Sequence, residues 1–256
     1  NVEAYKVISA CAVFRYVGFK EDKSEQRDYM ADRISRTDRA DFYEHARWFI
    51  DRDVLEERGR FISVKPQPLA VRLAAEWWKR CSPERAMEIF VEDKPVGMSE
   101  AMSDQLAKLN FLPEAKELVR KLCSEGEYFS RQEVLDSQKG SRLFRPIVEI
   151  NPEAAADVLL RVFDGGQRDD LLEVGEGRFN LTLALEKLCF WRETFPRAAR
   201  LLLGQRGHVG DQAAQDDRTL ALLGPHALDE HRVAREAGVD RPPIPPFFCS
   251  KSGASR

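Results

Sequence analysis

Pro83-Glu84-Arg85-Ala86-Met87-Glu88-Ile89-Phe90 is the first of four related stretches, followed by Pro113-Glu114-Ala115-Lys116-Glu117-Leu118-Val119, Pro152-Glu153-Ala154-Ala155-Ala156-Asp157-Val158-Leu159 and Pro196-Arg197-Ala198-Ala199-Arg200-Leu201-Leu202. Each opens with proline, passes through a polar residue or two to alanine, and continues as an apolar stripe of helical period. Proline at the first helical position is preset for helix entry, because its fixed φ suits the helix and its missing N–H has no partner to lose there. The prolines are spaced by 30, 39 and 44 residues, close to the roughly 40 of a HEAT-type helical pair. Leu106-Ala107-Lys108-Leu109-Asn110-Phe111 before Pro113 parallels Leu185-Glu186-Lys187-Leu188-Cys189-Phe190 before Pro196, so two units share both helices of a pair. Residues 81–204 are therefore expected to form HEAT/TPR-like helical repeats, an architecture that holds partners on an extended surface.

Upstream, apolar positions at Val7, Ile8, Cys11, Ala12, Phe14 and Val17 predict a first helix over 4–17 that Gly18 ends. A polar connection follows, with Ser24 the expected N-cap of a weaker helix through Tyr29, Met30 and Ile34. Thr37 or Asp38 then caps a third helix bearing Phe42, Ala46, Phe49 and Ile50. Val54–Arg58 and Arg60–Val64 are two β-prone runs about Gly59. Three helices and a hairpin, in that order, make a winged helix of residues 1–80 whose last helix starts at Pro66-Gln67-Pro68. The expected fold is mainly α: a winged-helix domain followed by helical repeats. Ser130-Arg131-Gln132-Glu133-Val134-Leu135 reads as a further capped helix, and Asn151 as the cap before Pro152. Past Gly204 the stripe stops, and residues 205–256 read as a weakly ordered tail or a frame-shifted end, with helical character only at Thr219–Leu223 and Ala227–Ala237. The start at Asn1-Val2, in mid-pattern, reads as the beginning of a fragment.

A net charge of -3, with 32% charged and 43% hydrophobic residues, gives no general attraction to nucleic acid or acidic membranes. No apolar run is long enough to span a bilayer, and a cytoplasmic location is expected. The five cysteines are isolated, without C-x-x-C or metal-ligand spacing, and suit a reducing compartment. His208, His226 and His231 are too loosely spaced for zinc, and His45 reads as a boundary residue on the third helix. There is no G-x-x-x-x-G-K-[ST] or G-x-S-x-G; Gly165-Gly166 occupies a polar turn, without the lysine and helix start that a phosphate loop requires. No catalytic residue, cofactor or metal is expected.

The winged-helix order raises a DNA reading. Arg36, Arg39, Arg47 and Arg52 are matched by Asp38, Asp41, Glu44 and Asp51, which leaves the third helix neutral, while Arg58, Arg60 and Lys65 give the wing a weak positive bias over Glu56 and Glu57. Since phosphate neutralisation supplies much of protein–DNA affinity, nucleic acid is disfavoured. Arg36, Arg39, Arg47, Arg58, Arg60 and Lys65 remain candidate DNA or partner contacts. Trp48, Phe61, Trp77 and Trp78 are the expected seam between the winged helix and the first repeat.

The stretch from Leu55-Glu56-Glu57-Arg58-Gly59-Arg60-Phe61-Ile62-Ser63-Val64 through Lys65-Pro66-Gln67-Pro68-Leu69-Ala70 resembles the winged-helix segment that follows the ATPase core in bacterial STAND-type NTPases. Leu185–Leu201 looks like the helical-repeat sensor region behind it. Together the resemblance covers residues 4–204. It implies a non-catalytic sensor and assembly region, often in antiphage defence, whose repeats bind a protein trigger beside an ATPase core. That core is missing from this chain. Where related switches place a Met-His-Asp motif against nucleotide, this chain has Pro66-Gln67-Pro68, leaving Gln67 as a weak nucleotide-facing candidate without a switchable charge. The rival readings are a winged-helix DNA-binding regulator with a helical signal-receiving domain, and a free-standing helical-repeat scaffold.

Overall fold

A computed structural model describes residues 2–164 and 177–204. The expected turn at Gly165-Gly166, the tail with its histidines and helical stretches, and Cys249 lie outside those residues. The described chain is mainly helical, with one small three-stranded sheet.

Helix α1 covers Val2–Ala12 and buries Val7, Ile8 and Cys11. It stops five residues before the end that the apolar stripe predicts, because Val13, Phe14 and Val17 are buried in a corner rather than along a helix face. A short run of buried residues has no unambiguous period. Here the Arg15 amide donates to the Ala101 carbonyl at 2.9 Å, and Val17–Gly18 form strand β1. Gly18 is therefore a strand residue rather than a helix stop. A Cβ there would lie 2.5 Å from that of Lys23.

A 3-10 turn at Glu21–Lys23 leads into α2, Ser24–Tyr29, with Lys23 and not Ser24 at the cap position. The helix runs on as a π-helical turn, Met30–Ser35, and Arg36 ends it in the left-handed region at φ 55°. Helix α3, Arg39–Ile50, starts at the expected cap: the Asp38 carboxylate accepts from the Ala40 amide at 2.8 Å and the Asp41 amide at 3.4 Å. Its Phe42 and Ala46 face the core. Strands β2, Leu55–Arg58, and β3, Phe61–Val64, form the hairpin, turning at Gly59 with φ +59°. The sheet order is β1-β3-β2, antiparallel, with Val17 opposite Ile62 and Glu57 opposite the same residue from the other side.

Helix α4, Gln67–Arg80, joins this head to the remaining helices. Pro83, Pro113 and Pro152 are the first residues of α5 (Pro83–Val91), α7 (Pro113–Leu122) and α10 (Pro152–Asp164). Between them lie α6 (Met98–Leu106), α8 (Gln132–Asp136) and α9 (Gln138–Ile147), followed by α11 (Arg178–Leu188) and α12 (Phe195–Gly204), in which Pro196 is the second residue. Ser82 and Asn151 cap α5 and α10, accepting from Arg85 N at 3.3 Å and Ala154 N at 3.2 Å. Arg131 rather than Ser130 precedes α8, and Ser130 closes a separate 3-10 turn at Tyr128–Ser130.

The helices pack in two rows. In one, α4 meets α6, α6 meets α9 and α9 meets α11; in the other, α5 meets α7, α7 meets α10 and α10 meets α12. Phe90, Phe129 and Phe144 link the rows edge to face, with centroids 6.0 and 5.2 Å apart, a geometry that adds to the apolar burial of each ring.

Candidate functional site

Local sequence places the six candidate cations on α3, the β2–β3 hairpin and their flanks. Five are met by carboxylates. Arg39 reaches Asp32 at 2.5 Å and Asp28 at 3.2 Å, and this guanidinium holds the Asp32 carboxyl below the ordinary carboxylate range. Arg47 lies 3.4 Å from Glu57 and 3.8 Å from Asp51. Arg60 lies 2.5 Å from Asp22, whose carboxyl it lowers, and 3.2 Å from Glu21. Lys65 and Arg58 share Glu56 and lower its carboxyl, Lys65 the more strongly. Exposed pairs of this kind add little stability. Their consequence is electrostatic: they spread alternating charge over the face of α3 and the β2–β3 hairpin. Arg36 alone of the six has no carboxylate in salt-bridge contact among the described residues.

The aromatic candidates do not form one group. Trp78 is buried at 3% exposure and meets Trp77, half-buried, edge to face at 5.0 Å on α4. Phe61 packs against Tyr16 at 5.3 Å inside the head. Trp48 is 46% exposed on α3 and carries the Arg52 guanidinium 3.8 Å above its ring, so it is outside the expected seam. An aromatic residue at helical spacing is not always inward, and Trp48 shares its turn with Phe49, which packs against the core in its place. Gln67 is exposed at the first position of α4.

One apolar core runs through the head and the helical rows, and polar contacts join the two as well. Gln26, 2% exposed, accepts from the Gly18 amide at 2.7 Å and donates to the Val96 carbonyl at 2.8 Å. Tyr29 donates to Glu92, and burial, followed by that bond, pushes its phenol far up. Arg33 reaches Glu92 at 2.5 Å and Glu88 at 2.7 Å. Tyr5 donates to Glu76 at 2.5 Å, and Arg15 pairs with Asp104 at 3.1 Å. The Arg85 guanidinium donates to the carbonyls of Arg33 at 3.0 Å and Ile34 at 3.2 Å, and lies 5.7 Å from the Trp77 ring centroid. Sequence reading missed Gln26, Tyr29, Arg33 and Arg85. Their partners lie 51 to 70 residues away, and no local pattern signals such a pairing.

Nothing in this seam resembles a catalytic constellation. Burial pushes the Cys11 and Cys123 thiols up to about 12 and the Cys189 thiol up to about 11, opposite to the shift that makes a nucleophile. Among the described residues no group of His, Cys, Asp and Glu is disposed to hold a metal ion, and no helix is long and apolar enough to cross a membrane. No protein-family model matches this chain, and neither a curated protein nor a solved structure shows significant similarity to it.

Proposed function

We propose that residues 1–80 are a winged-helix domain, that residues 81–204 are a helical-repeat domain, and that the two form the non-catalytic sensor and assembly region of a STAND-like signalling NTPase. The repeats bind a protein trigger, and the winged helix passes the resulting strain to an ATPase core. One observation carries the reading: helix, strand, two helices and a hairpin, with sheet order β1-β3-β2, lead through the single helix α4 into two ordered rows of helices. A winged helix feeding a repeat stack would carry its elements in this order, which supports the reading. The polar contacts across the seam suit a switch, since ion pairs and tyrosine–carboxylate bonds exchange for water at small net cost. The pairing of Arg39, Arg47, Arg58, Arg60 and Lys65 weighs against the DNA-regulator reading, because each phosphate contact would first have to break an existing ion pair.

The test begins at the encoding locus. An in-frame upstream segment with a P-loop is expected, and the longer product should hydrolyse ATP in a trigger-dependent way while this chain alone does not. Turnover by the purified chain, or an upstream frame without a P-loop, overturns the reading. Salt-dependent retardation of duplex DNA would favour the regulator instead.

A further inference from the structure

Among the described residues, two helix faces carry a pair of like charges with no counter-ion in contact. The first is the outward face of α3, opposite Phe42 and Ala46. Asp41 and Glu44 are exposed there, three residues apart, and Trp48, one turn further along the same face, is 46% exposed. Neither carboxylate takes part in an ion pair among the described residues. The neighbouring cations are engaged elsewhere: Arg39 with Asp32 and Asp28, Arg47 with Glu57, and Arg52 over the Trp48 ring. The second face belongs to α9. Arg142 and Arg145 are again three residues apart, the first exposed and the second half-buried. Among the described residues neither has a carboxylate in salt-bridge contact, whereas Lys139, one turn earlier, is taken by Asp93 at 2.5 Å. The Asn180 side chain on α11 donates to Ser141 Oγ at 3.2 Å, which sets Phe179, 69% exposed, level with Ser141 and Arg142.

The two faces are complementary. Each presents two like charges at one helical spacing with an exposed aromatic ring beside them, and the charges have opposite sign. Residues three apart on a helix are neighbours on its surface, so the two pairs can meet at two points at once. We propose that the α3 face of one copy of this chain docks on the α9 face of a second copy, with Asp41 and Glu44 meeting Arg142 and Arg145 and Trp48 packing beside Phe179. Guanidinium forks match carboxylates in bidentate geometry. An exposed ion pair contributes little alone. Here the two rings exclude water around the pairs, and tryptophan and arginine are the residues that most often anchor such contacts. An acidic α3 face also repels phosphate, which removes nucleic acid as its occupant. Because the two faces are different patches, the contact is heterologous, and one copy can engage a neighbour through each. The inference goes beyond the STAND-like reading and needs no ATPase core, so either can fail without the other.

The experiment follows the mass of the whole chain by sedimentation and light scattering from about 10 to 300 μM, in about 50 mM and 500 mM salt. At low salt the average mass of wild type should rise with concentration; at high salt it should fall back towards the monomer. The double variants Asp41→Lys/Glu44→Lys and Arg142→Glu/Arg145→Glu should each stay monomeric, with circular-dichroism melts like wild type because the changes lie on the surface. Mixed in equal amounts, they should associate again, since each then meets faces of opposite charge. That rescue separates charge pairing from a folding defect. Trp48→Ala should weaken association about tenfold. A wild type that is monomeric throughout, or a mixture of the two reversed variants that stays monomeric, overturns the proposal. So does association that survives either reversal, because it then belongs to another surface.

Discussion

Replacing Trp78 with alanine tests whether α4 is the element that binds the head to the helical rows. The indole is 3% exposed and rests edge to face on Trp77 at 5.0 Å. A buried tryptophan hides about 150–250 Å², and at about 25 cal/mol per Å² the part lost on truncation is worth about 4 kcal/mol. The ring pair adds about 1 kcal/mol. Against this, the Trp78 Nε1 is buried without an acceptor, so deleting it removes an unsatisfied donor that costs about 1–2 kcal/mol. The net expectation is a loss of about 3–4 kcal/mol, within the range for large aromatic deletions in cores. For a chain of this size that lowers the melting temperature by roughly 8–14 °C. Urea unfolding followed by circular dichroism gives the free energy directly. Trp77→Ala, removing a half-buried ring, should cost clearly less, and Trp78→Phe about 1–2 kcal/mol. A loss under about 1 kcal/mol for Trp78→Ala, or an equal loss for both alanine variants, refutes the assignment of Trp78 as the buried member of the pair.

Other consequences follow from single contacts. Gly140→Ala would place a Cβ 1.9 Å from the Val134 carbonyl oxygen, a backbone atom that cannot swing aside; a loss of about 2–3 kcal/mol is expected in urea unfolding, against about 1 kcal/mol for Gly59→Ala, where only the left-handed φ resists. Lys94 donates to the Phe90 carbonyl at 3.1 Å and the Glu92 carbonyl at 3.0 Å, and burial lowers its ammonium to about 8. Between pH 8 and the ordinary lysine value near 10.4 the unfolded chain therefore binds more protons, and the Lys94 contribution to stability rises with pH. The stability difference between wild type and Lys94→Met should accordingly move in favour of wild type across that window and stay flat below it. Cys11 and Cys123, with thiols raised to about 12, should alkylate at pH 8 only after denaturant is added, as read by peptide mass; modification of either in the native protein contradicts their burial.

Much of the helical framework was legible because its signals are local. Proline at the first turn, Asp38 and Asn151 as caps and the stripe Phe42–Ala46 each act within a few residues, and each occupies the position that its chemistry predicts. The failures have one physical origin. Val13, Phe14 and Val17 continue the period of α1 while the backbone leaves the helix, since burial from several sides erases the difference between a helix face and a corner. Gly18 reads as a helix stop, yet glycine is there because the Lys23 and Gln26 side chains pass too close for a Cβ. Ser24 and Ser130 satisfy the composition of a cap, but the preceding 3-10 turns move the helix starts away from them.

The seam was read from its aromatics; an apolar core does run through it, and charge and amide contacts add direction. Trp77 and Trp78 supply apolar area along α4, which any helix packing would use. Orientation needs directional bonds, and these come from Gln26, Tyr29, Arg33 and Arg85, whose partners are distant in sequence. Of these, Gln26 has the least freedom: it is buried, it donates to a carbonyl on the loop before α6, and it accepts from the amide of β1. Gln26→Leu would keep the volume but leave the Gly18 amide and Val96 carbonyl unpaired, a cost of about 2–3 kcal/mol by the penalty for stranded buried groups. Gln26→Glu keeps the acceptor for Gly18 and sets a carboxylate against the Val96 carbonyl, so its deficit should shrink below about pH 5 as the carboxyl protonates and regains a donor. If Gln26→Leu is as stable as wild type, the bridge does not fix the head against the rows, and that orientation rests on the shared apolar core and the contacts of Arg15, Tyr29, Arg33 and Arg85.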